Sequence, residues 1–241
     1  MGQLTRPRTP RTPRTLRRAR SPEAKATRAR HLEDTALAAL AHTPWPDLAV
    51  ADVARAAGVA KGTLFLYFPT KETLGLALVE RLLGAWFDDV QRELAKRAAP
   101  LDPGRVARLM VGSTSRHRAL VPLLAITGTL LEQNVSPAVA RRYKLEVLRR
   151  TEAGGTAIER ALGSLAPGDG ARFLLHTHAL VTGLHRMAEP APVVKAVLRS
   201  PRFAVLRVDF AAELTFALTA LLAALVAARA GVRHSRLPEI P

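Results

Sequence analysis

The sequence contains no cysteine among its 241 residues, so disulfides, thiolate metal sites and cysteine nucleophiles are excluded. Aromatic residues are scarce, at 5 % of the chain. Alternating apolar and polar runs, which would predict β-strands, are missing. The basic N-terminal stretch is not followed by an apolar run, so the sequence predicts no secretory signal and a cytoplasmic location.

Recognisable catalytic motifs are missing as well. The sequence has no Gly-rich phosphate loop after a strand, no Gly-x-Ser-x-Gly and no carboxylate cluster with metal-ligand spacing. We therefore expect a protein that is not an enzyme and that requires neither a cofactor nor a metal ion.

Positive charge is abundant and unevenly distributed. The formal net charge is +16, and residues 1–30 hold ten basic side chains against Glu23 alone. More than half of the net charge therefore belongs to the first eighth of the chain. A concentration of this kind predicts an anionic polymer or surface as the partner.

Residues 1–22 begin with a Thr-Pro-Arg repeat and continue as an Arg-rich segment. Proline at this density opposes helix formation, and the segment has almost nothing apolar to bury, so it is predicted to be a disordered, basic arm. Its arginines either bind phosphates and a neighbouring minor groove, or form a solvated tail that adds only non-specific attraction. A transit peptide is a weaker third interpretation, because such peptides form amphipathic helices.

Residues 50–71, VADVARAAGVAKGTLFLYFPTK, are the centre of the sequence. The pattern predicts a short helix over 52–57, a tight turn at 58–60 that uses the conformational freedom of Gly58, and a second short helix over 61–67. Two short helices joined by such a turn form a helix-turn-helix, whose second helix enters the DNA major groove. Spacing alone fits a plain helical hairpin equally well.

The segment GVAKGTLFLYFPTKE at 58–72 closely resembles the one that marks the tetracycline repressor (TetR) family of transcriptional regulators. The resemblance is specific over roughly residues 28–80 and beyond them extends only to the helical layout. It implies a homodimer that binds double-stranded DNA at a palindromic operator, in association with the bacterial nucleoid. It also implies a small-molecule effector in a second domain, whose binding changes the separation of the two recognition helices and releases the operator.

The resemblance assigns roles to six side chains, and two alanines depart from the family pattern. Ala49 and Ala60 stand where the family often has Ser or Thr as helix caps, so both helix starts are expected to be weakened by about 1 kcal/mol. The assigned DNA-binding residues are Lys61 and Gly62 for base contacts, Phe65 for a thymine methyl group, and Thr63, Tyr67 and Lys71 for phosphates.

The rest of the chain predicts an all-α protein with three parts: the arm over 1–22, the helix-turn-helix domain over 23–70 and a helical bundle over 71–241 that binds ligand and dimerises. Trp45 is expected to pack beneath the motif, with a DNA contact as the minor interpretation. The glycines at 154 and 155 could divide one helix into two. Helices are predicted over 25–42, 71–97 (the connecting helix), 105–112, 117–133, 138–163, 169–188 and 202–230.

The stretch 210–228 is almost wholly apolar, so a membrane span has to be weighed. Glu213 interrupts it, and the remaining part is shorter than the roughly 20 residues that a span requires. We expect no membrane partner and assign the stretch to the bundle core or to a subunit interface. The family resemblance implies a dimer interface built from the last two helices, 169–188 and 202–230.

The effector pocket is poorly specified by the sequence. Its predominantly Ala, Leu and Val surroundings predict an apolar effector. The spacing of His176 and His178 directs their rings to different sides of a helix, which argues against a metal site. Candidate ligand-binding residues are Trp86, Phe87, Met110, His117, Phe173 and His178.

Two functions fit these observations. The first is a ligand-responsive dimeric repressor, which requires a strong preference for one DNA sequence. The alternative is an architectural or non-specific DNA-binding protein driven by the arm, which would show little sequence preference and a steep salt dependence.

Overall fold

The computed structural model describes residues 21–114 and 116–234, which contain helices and turns and no strand. The predicted arm therefore lies outside the described residues, except for its last two. The described part contains ten α-helices: α1 Pro22–Leu40, α2 Val50–Ala56, α3 Lys61–Phe65, α4 Lys71–Ala95, α5 Pro103–Thr114, α6 Leu120–Ile126, α7 Pro137–Leu162, α8 Asp169–Ala188, α9 Pro192–Val197 and α10 Phe210–His234.

Helices α1, α2 and α3 form a small N-terminal unit. Ser21 caps α1, because its side chain accepts a hydrogen bond from the Ala24 N–H at 3.1 Å. Gly58 takes a left-handed conformation, with φ at +67°, and turns the chain from α2 towards α3. The second short helix ends at Phe65 rather than at the predicted Tyr67. Trp45 is buried, as expected, and its ring lies against Gly75 of α4.

The connecting helix α4 starts at Lys71 and ends at Ala95, two residues before the predicted end. Thr70 caps it, because its hydroxyl accepts a hydrogen bond from the Thr73 N–H at 3.0 Å. Its 25 residues span about 38 Å. Helix α4 contacts α1 and also packs against α5, α6 and α7, so it joins the N-terminal unit to the bundle.

One prediction for the middle of the chain was wrong. The helix predicted over 117–133 starts at Leu120 and gives way to a π-helical turn over Thr127–Leu131. The helix predicted over 138–163 is confirmed as α7, Pro137–Leu162, and the glycines at 154 and 155 do not divide it. A Cβ at Gly154 would lie 2.5 Å from Phe87, and one at Gly155 would overlap the backbone of Ala171, so both glycines permit close helix packing.

The single helix predicted over 202–230 was also wrong. Pro201–Leu206 forms a 3-10 turn, the chain then extends, and Asp209 caps α10 by accepting a hydrogen bond from the Ala212 N–H at 3.0 Å. The short helix α9 was not predicted. Neither α9 nor the 3-10 turn contributes a buried residue to the described structure.

Helix α10 is long and apolar enough, over Phe210–Arg229, to cross a membrane by length and composition. It packs against α5 and α8 through a stripe of Leu214, Leu218 and Leu222. Only 17 % of its most apolar stretch is buried, so this helix is not an interior helix of the single chain. Its outer side carries Phe216 and several alanines.

A charged contact fixes the far end of α10. Arg229 donates two hydrogen bonds to Asp169, at 2.8 and 2.9 Å, and Asp169 also accepts from the Ala166 N–H. Asp169 is buried at the start of α8. The hydrogen bonds from Arg229 lower the pKa of the Asp169 carboxyl, and the pair ties α10 to α8.

Candidate nucleic-acid interface and ligand cavity

The outer side of α3 is built by helical spacing. Leu64 is fully buried and holds the helix on the core, whereas Lys61 and Gly62 are exposed and Thr63 is half-buried. The ammonium group of Lys61 lies 5.8 Å from the ring centroid of Phe65. This side therefore carries a cation, a half-buried aromatic ring and a backbone without a side chain at Gly62.

Helices α2 and α3 both begin without a capping side chain, as the sequence indicated. Ala49 and Ala60 occupy the N-cap positions, and an alanine side chain has no atom that can accept from the first N–H groups. A phosphate oxygen of a DNA backbone could accept hydrogen bonds from these N–H groups.

Lys71 is engaged within the protein. Its ammonium group donates a hydrogen bond to the Pro46 carbonyl at 3.1 Å and lies 5.2 Å from the Trp45 ring centroid. Burial lowers the pKa of Lys71. The assignment of Lys71 as a phosphate contact remains a prediction. A phosphate would have to compete for this ammonium group with the loop that carries Trp45.

Tyr67 lines a cleft between the N-terminal unit and the bundle. Ion pairs run along this cleft from α1 to α4 and from α4 to α7. Arg81 of α4 contacts Glu33 at 3.5 Å and Asp34 at 2.5 Å, both on α1. Arg142 of α7 approaches Glu80 of α4 at 4.0 Å. The phosphate role of Tyr67 also remains a prediction.

A cavity of about 280 Å³ lies within the bundle between α4, α6, α7 and α8. Its surface is mainly apolar, and four threonine residues are distributed around it. The indole N–H of Trp86 donates to the Met110 carbonyl at 3.4 Å, so Trp86 offers the cavity only its apolar ring. The apolar lining residues are Leu83, Trp86, Phe87, Leu120, Val121, Leu124, Val147, Leu174, Leu175 and Val181.

One group of cavity-lining residues is polar. Lys144 donates to Glu132 at 2.7 Å, so this cation and this anion are already paired. Burial raises the pKa of the Tyr143 phenol, which stays protonated. Burial, followed by the charge of Lys144, lowers the pKa of His178, although the residue as a whole is exposed. The lowered pKa of His178 keeps the imidazole neutral at pH 7.

Of the six candidate ligand residues, Trp86, Phe87 and His178 line this cavity, and the other three are not among its lining residues. Phe173 is fully buried, and Met110 is buried on α5. His117 has its Nε2 atom 2.9 Å from an Asp89 carboxylate oxygen, so it joins the turn before α6 to α4.

Sequence reasoning missed most of the lining, above all Tyr143, Lys144, Thr127 and Glu132. Tyr143 and Lys144 are adjacent on a helix that looks amphipathic and solvated, so no local pattern identifies them as cavity residues. The π-helical turn at 127–131 carries no sequence signal that we can name, yet such turns occur frequently at functional sites. Within residues 21–114 and 116–234, no group of three or more His, Asp or Glu is arranged to hold a metal ion.

The π-helical turn also reaches the N-terminal unit. Leu131, its last residue, is fully buried. A Cβ at Gly75 of α4 would lie 2.7 Å from both Leu131 Cδ2 and Trp45 Cζ2. The hydroxyl of Thr70 donates to the Asn134 carbonyl at 3.3 Å, a few residues further along. A wall of the cavity and the loop before α2 therefore meet at one point on α4.

This arrangement is that of a helix-turn-helix DNA-binding protein with a helical ligand-binding domain, and comparison with protein families agrees. The family model described as "Bacterial regulatory proteins, tetR family" matches residues 32–78. The description "Tetracyclin repressor-like, C-terminal domain" matches residues 80–229. Since the second model alone spans more than half of the chain, the protein belongs to the TetR family of transcriptional regulators.

Solved structures share this fold. A protein of Mesorhizobium loti MAFF303099, assigned to the TetR family of transcriptional regulators, is 18 % identical with a TM-score of 0.52, covering 85 % of this chain and 97 % of that one. A TetR-family transcriptional regulator of Streptomyces coelicolor is 18 % identical with a TM-score of 0.52, covering 86 % and 83 % respectively. No curated protein sequence matches the chain.

Proposed function

We propose that this regulator is a homodimeric repressor of a palindromic operator, and that a small apolar effector releases it from DNA. The observation that carries the proposal is that Leu131, the last residue of the π-helical turn, and Trp45, in the loop before α2, both pack against Gly75 of α4.

DNA reading is assigned to the exposed side of α3. Lys61 can donate to guanine O6 and N7, and Gly62 allows the backbone to approach the base edges closely. Thr63, Tyr67 and Lys71 are assigned to phosphates, which set the position of the protein without reading sequence. In the free protein Lys71 contacts Pro46 and Trp45 instead, so we expect its side chain to rearrange on binding.

Dimerisation is assigned to the outer sides of α8 and α10. Phe216 is 73 % exposed on α10, and the alanines around it allow a second helix to approach closely. On α8, Leu175, Ala179 and Gly183 are exposed at helical spacing. A second copy covering both helices would bury the apolar surface of α10 and set two recognition helices about 34 Å apart, as a palindrome requires.

The effector response is assigned to the cavity. A volume of about 280 Å³ lies at the small end of ligand pockets, and its lining favours an apolar molecule with one polar group near Tyr143, Lys144 and His178. A ligand that displaces the π-helical turn would move Leu131 against Gly75 and Trp45 and so shift the population of DNA-binding conformations. We place the protein in the cytoplasm, where its operator would be.

The first experiment is a selection of genomic DNA fragments with the purified full-length protein at physiological salt. The proposal predicts one strongly enriched palindrome. Uniform recovery of all fragments would contradict it and would support the alternative, an architectural protein that binds through charge alone.

Sedimentation of the wild type and of Phe216→Glu tests dimerisation separately, since the proposal predicts a dimer that the variant weakens.

The cavity can be tested before the effector is known, with an apolar fluorescent naphthalene sulfonate as the probe. Val147→Phe places a ring in the cavity, whereas Leu148→Phe changes an exposed neighbour on the same helix. We expect the first variant to lose probe binding at least tenfold and the second to retain it. Equal binding by both variants would exclude this cavity as the apolar site.

The basic arm is proposed to contact phosphates and to compensate for the two missing caps. A deletion should stop at Arg20, because Ser21 caps α1. If even three of the arm arginines contact phosphates, deletion should reduce the slope of log affinity against log salt by about 3. An unchanged slope would show that the arm is a solvated tail.

A further inference from the structure

Leu66 is a large apolar side chain exposed beside the proposed DNA-reading surface. It follows the last residue of α3 and is 73 % exposed. The core side of this segment is defined by Leu64 and Phe68, which are both buried. Leu66 lies four residues after Gly62, so the two share the outward side of the helix.

The other apolar groups of this segment have partners within the protein. The Phe65 ring is half-buried and lies under the Lys61 ammonium group. Tyr67 lines the interdomain cleft. Leu66 is therefore the apolar side chain that this part of the described chain leaves free to enter a groove.

A leucine side chain has no hydrogen-bonding atom, so it cannot pair with phosphates or with the donors and acceptors of the bases. The apolar group on a base edge in the major groove is the C5 methyl of thymine. Gly62 adds room for that edge, because nothing lies within 4 Å of the position that its Cβ would occupy. The apolar side chain of Leu66 and the room beside Gly62 therefore both favour the C5 methyl group of thymine as the contact.

We propose that Leu66 is a specificity-determining residue that selects a thymine in each half-site through its C5 methyl group. This inference rests on the proposed function, since it requires α3 to read bases. It assigns the methyl contact to Leu66 rather than to Phe65, which the family resemblance had favoured. Removal of one buried methyl group predicts a loss of affinity of about fourfold for each half-site.

The test uses double-stranded DNA selected from a random library by the full-length protein. Each thymine of the selected site is replaced in turn by deoxyuridine, which removes only the methyl group. We expect the wild type to lose about fourfold per half-site at one symmetric position. Leu66→Ala should bind the parent site more weakly and should show no further loss when that same thymine is replaced.

Leu145→Ala is the matched control, because Leu145 is an exposed leucine on α7, far along the chain from α3. It should keep the wild-type response to every deoxyuridine. Phe65→Leu should also keep that response, because the proposal gives the methyl contact to Leu66.

Two outcomes would overturn the proposal. In the first, Leu66→Ala loses as much DNA affinity as the wild type when each thymine is replaced by deoxyuridine. In the second, Phe65→Leu is the variant whose affinity no longer responds to that replacement. In either case a strongly enriched palindrome would leave the proposed function intact. A selection that enriches no sequence would instead contradict base reading itself, and the assignment of Leu66 would fail with it.

Discussion

The guanidinium group of Arg150 on α7 packs directly against Gly84 on α4. A Cβ at Gly84 would lie 2.8 Å from Arg150 Cζ, and Arg150 Nη1 donates to the Gly84 carbonyl at 3.3 Å. The same side chain contacts Asp88 at 3.2 Å and Glu146 at 2.6 Å. Since Val147 and Thr151 beside it line the cavity, this arginine joins a cavity helix to the connecting helix.

Arg150→Met should therefore destabilise the protein. The variant keeps most of the aliphatic stem but leaves the Gly84 carbonyl and Asp88 without this donor, so we expect a loss of about 1–3 kcal/mol in the free energy of unfolding, measured by urea denaturation. Arg149→Met is the control, since Arg149 is exposed and pairs with Glu146 within its own helix. It should change stability by less than about 0.5 kcal/mol. Similar losses in both variants would refute the link through Gly84.

Gly75→Ala should also reduce stability, because its new methyl group would compete for space with Leu131 and with the rigid Trp45 ring. Overpacking of this kind costs about 1–3 kcal/mol. Gly112→Ala is the comparison: Gly112 is exposed on α5, and nothing lies within 4 Å of the position that its Cβ would occupy, so alanine should be tolerated there. Thermal unfolding of the two variants distinguishes the sites. A Gly75→Ala protein as stable as the wild type would show that this junction is loosely packed.

Gly62→Ala should separate folding from DNA binding. The glycine has an ordinary φ, and nothing lies within 4 Å of its missing Cβ. Alanine should thus stabilise α3, by about 0.5–1 kcal/mol at most. The same methyl group would stand on the surface proposed to approach base edges, so affinity for the selected operator should fall about tenfold or more. A variant that is more stable and binds as well as the wild type would remove Gly62 from the DNA-binding surface.

The contact between Asp169 and Arg229 predicts a pH dependence. The hydrogen bonds from Arg229 lower the pKa of Asp169 in the folded protein, so the unfolded chain takes up the proton first as the pH falls. The stabilisation is fully present above the ordinary aspartate pKa of about 4 and is lost as the pH falls below it. Asp169→Asn should lower Tm by a few degrees at pH 7.

The difference in Tm between the wild type and Asp169→Asn should shrink as the pH falls from about 5 towards 3. Asp209→Asn is a useful comparison, because Asp209 caps the exposed start of α10 and asparagine caps about as well as aspartate. A difference for Asp169→Asn that does not vary with pH would mean that the ion pair with Arg229 contributes nothing to stability.

Local chemistry determined much of this protein. The turn at Gly58 follows from the freedom of glycine to take a positive φ, and the all-α fold follows from the missing strand pattern. These features depend on residues close together in sequence, so the sequence alone was enough to predict them. The family resemblance over 28–80 added the helix-turn-helix.

Tertiary packing decided which residues that are far apart in the sequence come into contact. The cavity draws on helices from α4 to α8, and Tyr143 and Lys144 became lining residues only because α7 packs with that side towards α4 and α8. The glycines at 154 and 155 look like breaks in a sequence, yet they provide space for Phe87 and α8. Leu131 and Trp45, which are 86 positions apart in the sequence, both pack against Gly75. No local pattern encodes such a contact, because it depends on where whole helices come to rest.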